Sequence, residues 1–467
     1  MRRAAHHRPR RAFARGAGAV VLAAVLVAGC SVDTPRNGYT DLASGGSGLD
    51  GGPAGSDATT VDGAGSPTGP GGTAGTGGTS GSSATGGPRS QSSRAGGGGN
   101  AGGGGSTGAV GVSDSTIRIT VSAPFSGYLG VIVNRAYDGG FGVWVDDVNA
   151  RGGIHGRRIQ VVKVDNQLTA DGAIAACKEA KSNGTFMVVQ VAGYAAEGTC
   201  LDQAAVPSLV YVADQPKATW KHVRYIQDVD AWGANPASYI KTKMGGGGKK
   251  VAVVYLTDLS YGYEGKDAFL QRAKEVGLNV VAVEGIVQNQ GSFVAELQRI
   301  QRAGAEIVAF FGLTEILGLV RDGRAIGFTP QWTGTGFAID EISTAGRDLL
   351  DGVVGMRVFP TTESPTYAAY RARLDQRGRG GNASTGGMGF FGVGLALEQA
   401  FAAAGRNLTR PGFEAAFDLV RNYDSGMLPA ISWAGGRPTG TDATFAVVCC
   451  NPDYTWKGTG PAGTFRE

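Results

Sequence analysis

Between Val143 and Asn166 the chain reads VWVDDVNARGGIHGRRIQVVKVDN, and no other stretch limits the possible folds as strongly. Val143, Trp144, Val145 and Val148 fall on one apolar stripe at helical spacing, interleaved with Asp146, Asp147 and Asn149. Gly152-Gly153 supplies the positive-φ turn that stops a helix. Ile159, Val161 and Val164 then begin a strand that ends near Asp165. Helix, tight glycine turn and strand make half of a βαβ unit, the building block of parallel sheets covered by helices.

The same rhythm continues on both sides. Strands are expected at Ile117–Ala123, Arg158–Asp165, Met187–Ala192 and Ser208–Val212, with helices through Val143 and from Thr169. Met187–Ala192 is a continuous apolar run, as a strand buried on both faces requires. A second set follows: strand Val251–Leu256, helix Tyr263–Val276, strand Val280–Val283 and helix Phe293–Ala303. Strand Ile307–Phe311, a helix to Ile326 and strand Gln331–Gly334 complete it. The segment from Thr362 to Arg421 is mainly helical. Two successive open sheets with βα connections imply an α/β protein of two Rossmann-like lobes with parallel sheets.

Ahead of this lies a different composition. Six arginines within the first 15 residues precede an apolar run from Ala17 to Ala28, too short to span a bilayer permanently. The run ends Leu26-Val27-Ala28-Gly29-Cys30, which resembles a bacterial lipobox with Cys30 as the lipidation site. Arg10-Arg11-Ala12-Phe13 also has some likeness to a twin-arginine signal, so both export routes stay open. The first 29 residues carry six arginines and no acid, so the formal charge of +4 becomes −2 once they are removed. No basic footprint for nucleic acid remains. From Ser31 to about Gly108 the chain is Gly, Ser, Thr, Ala and Pro, too poor in apolar surface to offset its ordering entropy. As a flexible tether of about 80 residues it would span roughly 50 Å. No later apolar run reads as a transmembrane helix.

The DxNARGGIxGRxIxxVxxD wording around Val143–Asn166 closely resembles the first lobe of type I periplasmic binding proteins. The nearest members are the leucine/isoleucine/valine- and amide-binding solute receptors of ABC importers. The resemblance implies three interlobe crossovers, near Tyr225–Trp232, Val358–Thr362 and Tyr423–Pro429. After the signal peptide 1–29 and tether 30–109 read from composition, it divides the folded part into first-lobe parts 110–228 and 361–425, and second-lobe parts 229–360 and 426–467. Strands near Ala430–Trp433 and Thr444–Val448 then belong to the second lobe. It also implies a monomer anchored by lipid at the extracytoplasmic face of a bacterial membrane, serving a permease and ATPase. A sensory receptor of the same fold is the alternative.

Some receptors of this kind carry a disulfide between helices flanking the third strand, which implies a Cys177–Cys200 bond here. In the chain-entropy model a loop of about 23 residues contributes roughly 3 kcal/mol. Cys449-Cys450 can form a vicinal ring or stay as thiols in a core strand.

An enzyme is the rival class. The mature chain holds only two histidines, His155 in the glycine turn and His222 near a crossing, each read as a surface or packing residue. No HExxH, CxxC or zinc-like spacing occurs, and no cofactor or metal is expected. Gly104-Gly105-Ser106-Thr107-Gly108 matches GxSxG in form but sits in the tether instead of a strand–turn–helix elbow. GGGGKK at Gly245–Lys250 lacks the Ser/Thr of a phosphate loop and precedes its strand. A hydrolytic carboxylate pair has no pattern that would mark it.

Ligands of open α/β sheets bind beyond the carboxyl ends of strands. In the first lobe these are the loops at Phe125–Tyr128, Gly193-Tyr194-Ala195-Ala196 and Ala213-Asp214-Gln215. In the second they are Tyr261 and Tyr263, Gly312-Leu313 and Thr335-Gly336-Phe337. The expected ligand contacts are Tyr128, Tyr194, Ala195, Ala196, Asp214, Gln215, Tyr261, Thr335 and Phe337, with Phe390-Phe391 marginal. By the resemblance, the acid that receives an amino acid's ammonium aligns near Gly336, which has no side chain. Asp214 or Asp340 would have to replace it, or the ligand carries no ammonium and is an amide, a urea-like solute or an aromatic acid.

Overall fold

The computed structural model describes residues 109–127, 129–213, 219–227, 229–450 and 453–465. The signal-peptide and tether segments with Cys30, and the candidate residues Tyr128, Asp214 and Gln215, lie outside the described residues.

The chain begins β1 (Thr116–Ala123), α1 (Gly130–Gly139), α2 (Phe141–Ala150), β2 (Arg158–Asp165), α3 (Ala170–Ser182), β3 (Met187–Gly193), α4 (Ala195–Gln203), β4 (Ser208–Ala213) and β5 (Val223–Gln227). It continues α5 (Val229–Lys243), β6 (Lys250–Leu256), α6 (Ser260–Val276), β7 (Asn279–Ile286), α7 (Val294–Ala303), β8 (Ile307–Phe311), α8 (Glu315–Ala325), β9 (Gln331–Thr335), α9 (Asp340–Gly346) and β10 (Val354–Arg357). Three helices follow, α10 (Pro365–Asp375), α11 (Thr385–Ala404) and α12 (Arg410–Phe417). Last come β11 (Thr439–Thr441), β12 (Phe445–Cys450) and β13 (Thr455–Gly458). The single helix expected through Val143 is two, α1 and α2, which meet at Gly140 and both pack on α11.

Two sheets organise these elements. The first lobe has a six-stranded sheet in the order β11-β5-β4-β3-β1-β2, with parallel pairings throughout. The second has seven strands in the order β13-β12-β10-β9-β8-β6-β7, parallel from β10 to β7. β12 and β13 at its edge are antiparallel. A parallel return needs a crossover of a dozen or more residues, and the short link from β12 to β13 cannot provide one.

β6 shows how the sequence sets the core. Val251 and Val253 pack with Phe269 and Phe311 on one face, while Ala252, Val254 and Leu256 pack with Phe310 and Leu297 on the other. A strand covered on both faces has no use for a polar side, hence the unbroken apolar run. α3 starts at Thr169, whose hydroxyl accepts from Gly172 N and satisfies one of the free N–H groups of the first turn. Cys177 on α3 and Cys200 on α4 are placed as a bonded pair with Cα atoms 6.2 Å apart. Cys449 and Cys450 are buried at the end of β12.

Two expectations are corrected. The first concerns the last crossing. Ala430–Trp433 forms no strand of the second sheet: Ile431 bridges Tyr423, and the fully buried Trp433 donates its indole N–H to the Tyr225 carbonyl at 2.8 Å. An indole settles where an apolar wall and an acceptor coincide, and here Phe417 and the backbone of β5 supply both. Since β11 also pairs with β5, the chain leaves the first sheet at 442–444 and not at Tyr423–Pro429. The second concerns α11, which is long and apolar enough to cross a membrane by length and composition, although no such run was expected. Most of it lies in the first-lobe core, where Phe391, Leu397 and Phe401 are buried.

Candidate binding cleft between the lobes

The loops after the parallel strands bring the two lobes into contact. Leu129 and Leu168 of the first lobe are buried in the apolar cluster that holds Val254, Phe310 and Phe337 of the second. Beside them lies a cavity of about 170 Å³ lined from both lobes. The first lobe contributes Leu129, Ile132 and Val133 at the start of α1, Tyr211 from β4 and Phe390 from α11. The second contributes Trp232 from α5, Tyr261 from α6, Leu313 after β8 and Ile339 after β9. Tyr211 meets Phe390 edge-on with centroids 5.0 Å apart, and Trp232 meets Tyr261 at 5.9 Å. The Trp232 indole N–H is held by the Gln227 side chain.

One charged side chain enters this apolar wall. Arg357, at the end of β10 where the chain returns to the first lobe, is 5% exposed. Its guanidinium donates to the Ala338 carbonyl at 3.2 Å, to the Pro360 carbonyl at 3.0 Å and to Asp340 Oδ1 at 3.4 Å. Its Nε–H has no partner among the described residues, and neither has the hydroxyl of Tyr211. Burial pulls the Arg357 pKa down, with Asp340 opposing. Burial likewise pushes the Tyr211 hydroxyl up, so it stays a neutral donor, with Arg357 opposing. Gly389 leaves the room that the Tyr211 ring uses: a Cβ there would stand 2.3 Å from the tyrosine oxygen.

Asp340 starts α9 and is already engaged. Besides Arg357 it accepts from Thr385 Oγ1 of α11 at 2.6 Å, and its neighbour Glu341 faces Arg135 of α1 at 3.6 Å. Burial raises the Glu341 pKa, and the Asp340 charge adds to the effect. These contacts tie the lobes together at one end of the cavity. They also remove Asp340 as a replacement for the missing acid at Gly336. Gly336 itself has φ +95° and an ideal Cβ there falls 2.2 Å from the Gly312 carbonyl oxygen, so the position admits glycine alone.

The sequence-derived ligand set is divided by the structure. Tyr261 lines the cavity, and so do Leu313 and Phe390. Tyr194 does not; its hydroxyl donates to the Leu168 carbonyl at 2.6 Å, and Ala195 and Ala196 open α4 away from the cavity wall. Thr335 is buried inside the second sheet. Phe337 is corrected from ligand contact to core, fully buried between Phe310 and Trp456. Tyr263 is 40% exposed on the outer side of α6. His155 meets the Phe401 carbonyl at 3.1 Å and His222 meets Glu414 at 2.7 Å, and neither lines the cavity. Arg357, Tyr211 and Trp232 escaped the sequence reading. The signal for Arg357 was present: one cation inside the apolar run GVVGMRVFP, at an expected crossing.

A larger depression of about 900 Å³ lies on the first lobe beside α2, α10 and α11. Its charged groups are already matched, since Asp147 pairs with Arg373 at 3.2 Å and with Arg377. It also lies on one lobe alone. The interlobe cavity is the better candidate because it gathers unsatisfied donors from both.

Two α/β lobes joined by three crossings, with an apolar cavity between them, form the architecture of type I periplasmic binding proteins. The chain belongs to the periplasmic binding protein family, whose match covers residues 116–449. An amino acid binding protein of Pseudomonas aeruginosa is 28% identical over 222 residues, which is 45% of this chain and 58% of that protein. The Leu/Ile/Val-binding protein of Escherichia coli K12 is 24% identical over 223 residues, 45% of this chain and 59% of that protein. The matched stretch therefore covers less than two thirds of the length of these relatives.

Among solved structures, a leucine binding protein from Thermotoga maritima has a TM-score of 0.65 at 16% identity, covering 74% of this chain and 98% of its own. A fatty acid ABC transporter substrate-binding protein from Thermomonospora curvata scores 0.66 at 16% identity, with coverage of 76% and 94%. A branched-chain amino acid ABC transporter protein from Thermus thermophilus, with bound valine, scores 0.66 at 14%, covering 76% and 99%. At such identities the likeness concerns the fold.

Proposed function

We propose that this chain is the lipid-anchored receptor of an ABC importer, taking a small organic solute between its lobes and presenting the closed form to a permease and ATPase. It is read as a binding protein and not an enzyme, as a monomer, and as held at the outer face of the membrane through Cys30. A disulfide between Cys177 and Cys200 is part of the reading. So is a ligand set that includes Tyr261, together with Tyr128, Asp214 and Gln215 by their places just after β1 and β4. The observation that carries the proposal is the apolar cavity walled by both lobes. A solute touching both walls favours the closed form, and that difference in affinity turns binding into hinge motion.

A thermal-shift panel on the mature chain tests it. Leucine, isoleucine and valine would be run against amides and aromatic or branched aliphatic acids. A ligand at 100 times its Kd stabilises by roughly 2.7 kcal/mol, a readable rise in melting midpoint. At least one solute should give it without being consumed. Turnover of the solute by the purified protein would contradict the reading.

A further inference from the structure

We infer that the cleft is built for a monocarboxylate with a compact apolar body and no ammonium group, its carboxylate received by Arg357 and Tyr211. The inference rests on the solute-receptor reading and names the ligand class.

Two donors carry it. Arg357 and Tyr211 both line the cavity, and the Arg357 Nε–H and the Tyr211 hydroxyl are buried without a partner among the described residues. A buried donor without a partner is costly, and a carboxylate satisfies both while gaining charge-assisted hydrogen bonds. Arg357 has room for it: of its five N–H groups, those engaged meet two carbonyls and a single Asp340 oxygen at 3.4 Å. Asp340 is shared in turn with Thr385.

The described part of the wall offers an ammonium no partner. No Asp or Glu lines the cavity among the described residues, and Gly336 has no room for a side chain. A zwitterion would leave its cation against Leu129, Ile132, Val133 and Leu313, where burial of an unpaired charge is prohibitive. The size also fits. A cavity of about 170 Å³ resembles the apolar cavity of about 150 Å³ that admits benzene. The body is therefore a single ring or a short branched chain.

Calorimetric titration of the mature protein with three solutes of one skeleton tests this: 4-methylpentanoate, leucine and 4-methylpentanamide. The acid should bind at least about tenfold tighter than either of the others, the ratio expected for one charge-assisted bond. Tyr211→Phe removes a hydroxyl with no protein partner, so its melting midpoint should hold while the acid weakens about fivefold. Arg357→Gln, if it folds, should erase the preference of acid over amide. Leucine binding as tightly as the acid, or more so, would overturn the inference and leave the receptor reading intact. Equal binding of acid and amide would overturn it as well, as would failure of all three to bind. The receptor reading fails separately, if no solute of the wider panel stabilises the protein.

Discussion

Glu197→Gln should stabilise the protein increasingly as the pH rises. Glu197 sits on the first turn of α4, fully buried against the sheet face that carries Ser122. Burial drives its pKa from the ordinary 4.5 to about 8, with the nearby Ser122 hydroxyl offsetting part of the effect. Between those values the folded state holds a proton that the unfolded chain has lost. Stability therefore falls as pH rises through the window, by about 1.4 kcal/mol per pH unit. By pH 8 the loss is on the order of 5 kcal/mol, and less if water enters or the helix relaxes. Glutamine keeps the shape and never ionises, so the variant lacks this loss. Urea unfolding followed by tryptophan fluorescence, with wild type and variant in the same buffers, cancels all other titrations. The two should be close at pH 5 and separate by several kcal/mol by pH 8, with no further change above it. A constant difference from pH 5 to 9 would refute the reasoning.

Gly336→Ala should lose at least about 2 kcal/mol, because a side chain at positive φ is strained and its Cβ meets the Gly312 carbonyl. Calorimetry should show a melting midpoint lower by several degrees, and an unchanged midpoint would contradict the geometry. Cys177→Ser should cost roughly 3 kcal/mol. A peptide map of the mature protein should hold a linked 177/200 peptide that disappears on reduction. Cys30→Ala should release folded protein into the medium, since a multi-chain anchor gains about 0.8 kcal/mol per buried CH₂. Retention in the membrane fraction after a high-salt wash would contradict it.

Much of the scaffold was legible because it rests on periodicity. The apolar runs at Met187–Ala192 and Val251–Leu256 read as strands, and they form β3, central in its sheet, and β6, flanked on both sides by β7 and β8. The short strand β11 was not legible: Thr439-Gly440-Thr441 has no apolar alternation, and it is placed by pairing with β5 and by the burial of Trp433 nearby. In the cleft, sequence located the loops but not the direction of each side chain. Gly336, Phe337 and Ala338 are consecutive, yet Gly336 and Ala338 line the cavity while Phe337 turns into the core between Phe310 and Trp456. That direction depends on the φ of Gly336, which sequence pattern does not give. Arg357 and Tyr211 belong to strand ends that read as plain core, and only their meeting across the crossing gives them a shared role.

Hydrogen–deuterium exchange on the mature chain, with and without the tightest solute of the panel, tests most directly whether one ligand engages both lobes. Protection should rise together at the β1–α1 segment 124–133 of the first lobe and the β9–α9 segment 336–342 of the second, with α7 unchanged. Protection confined to one lobe, or centred on the depression beside α2 and α10, would contradict the account.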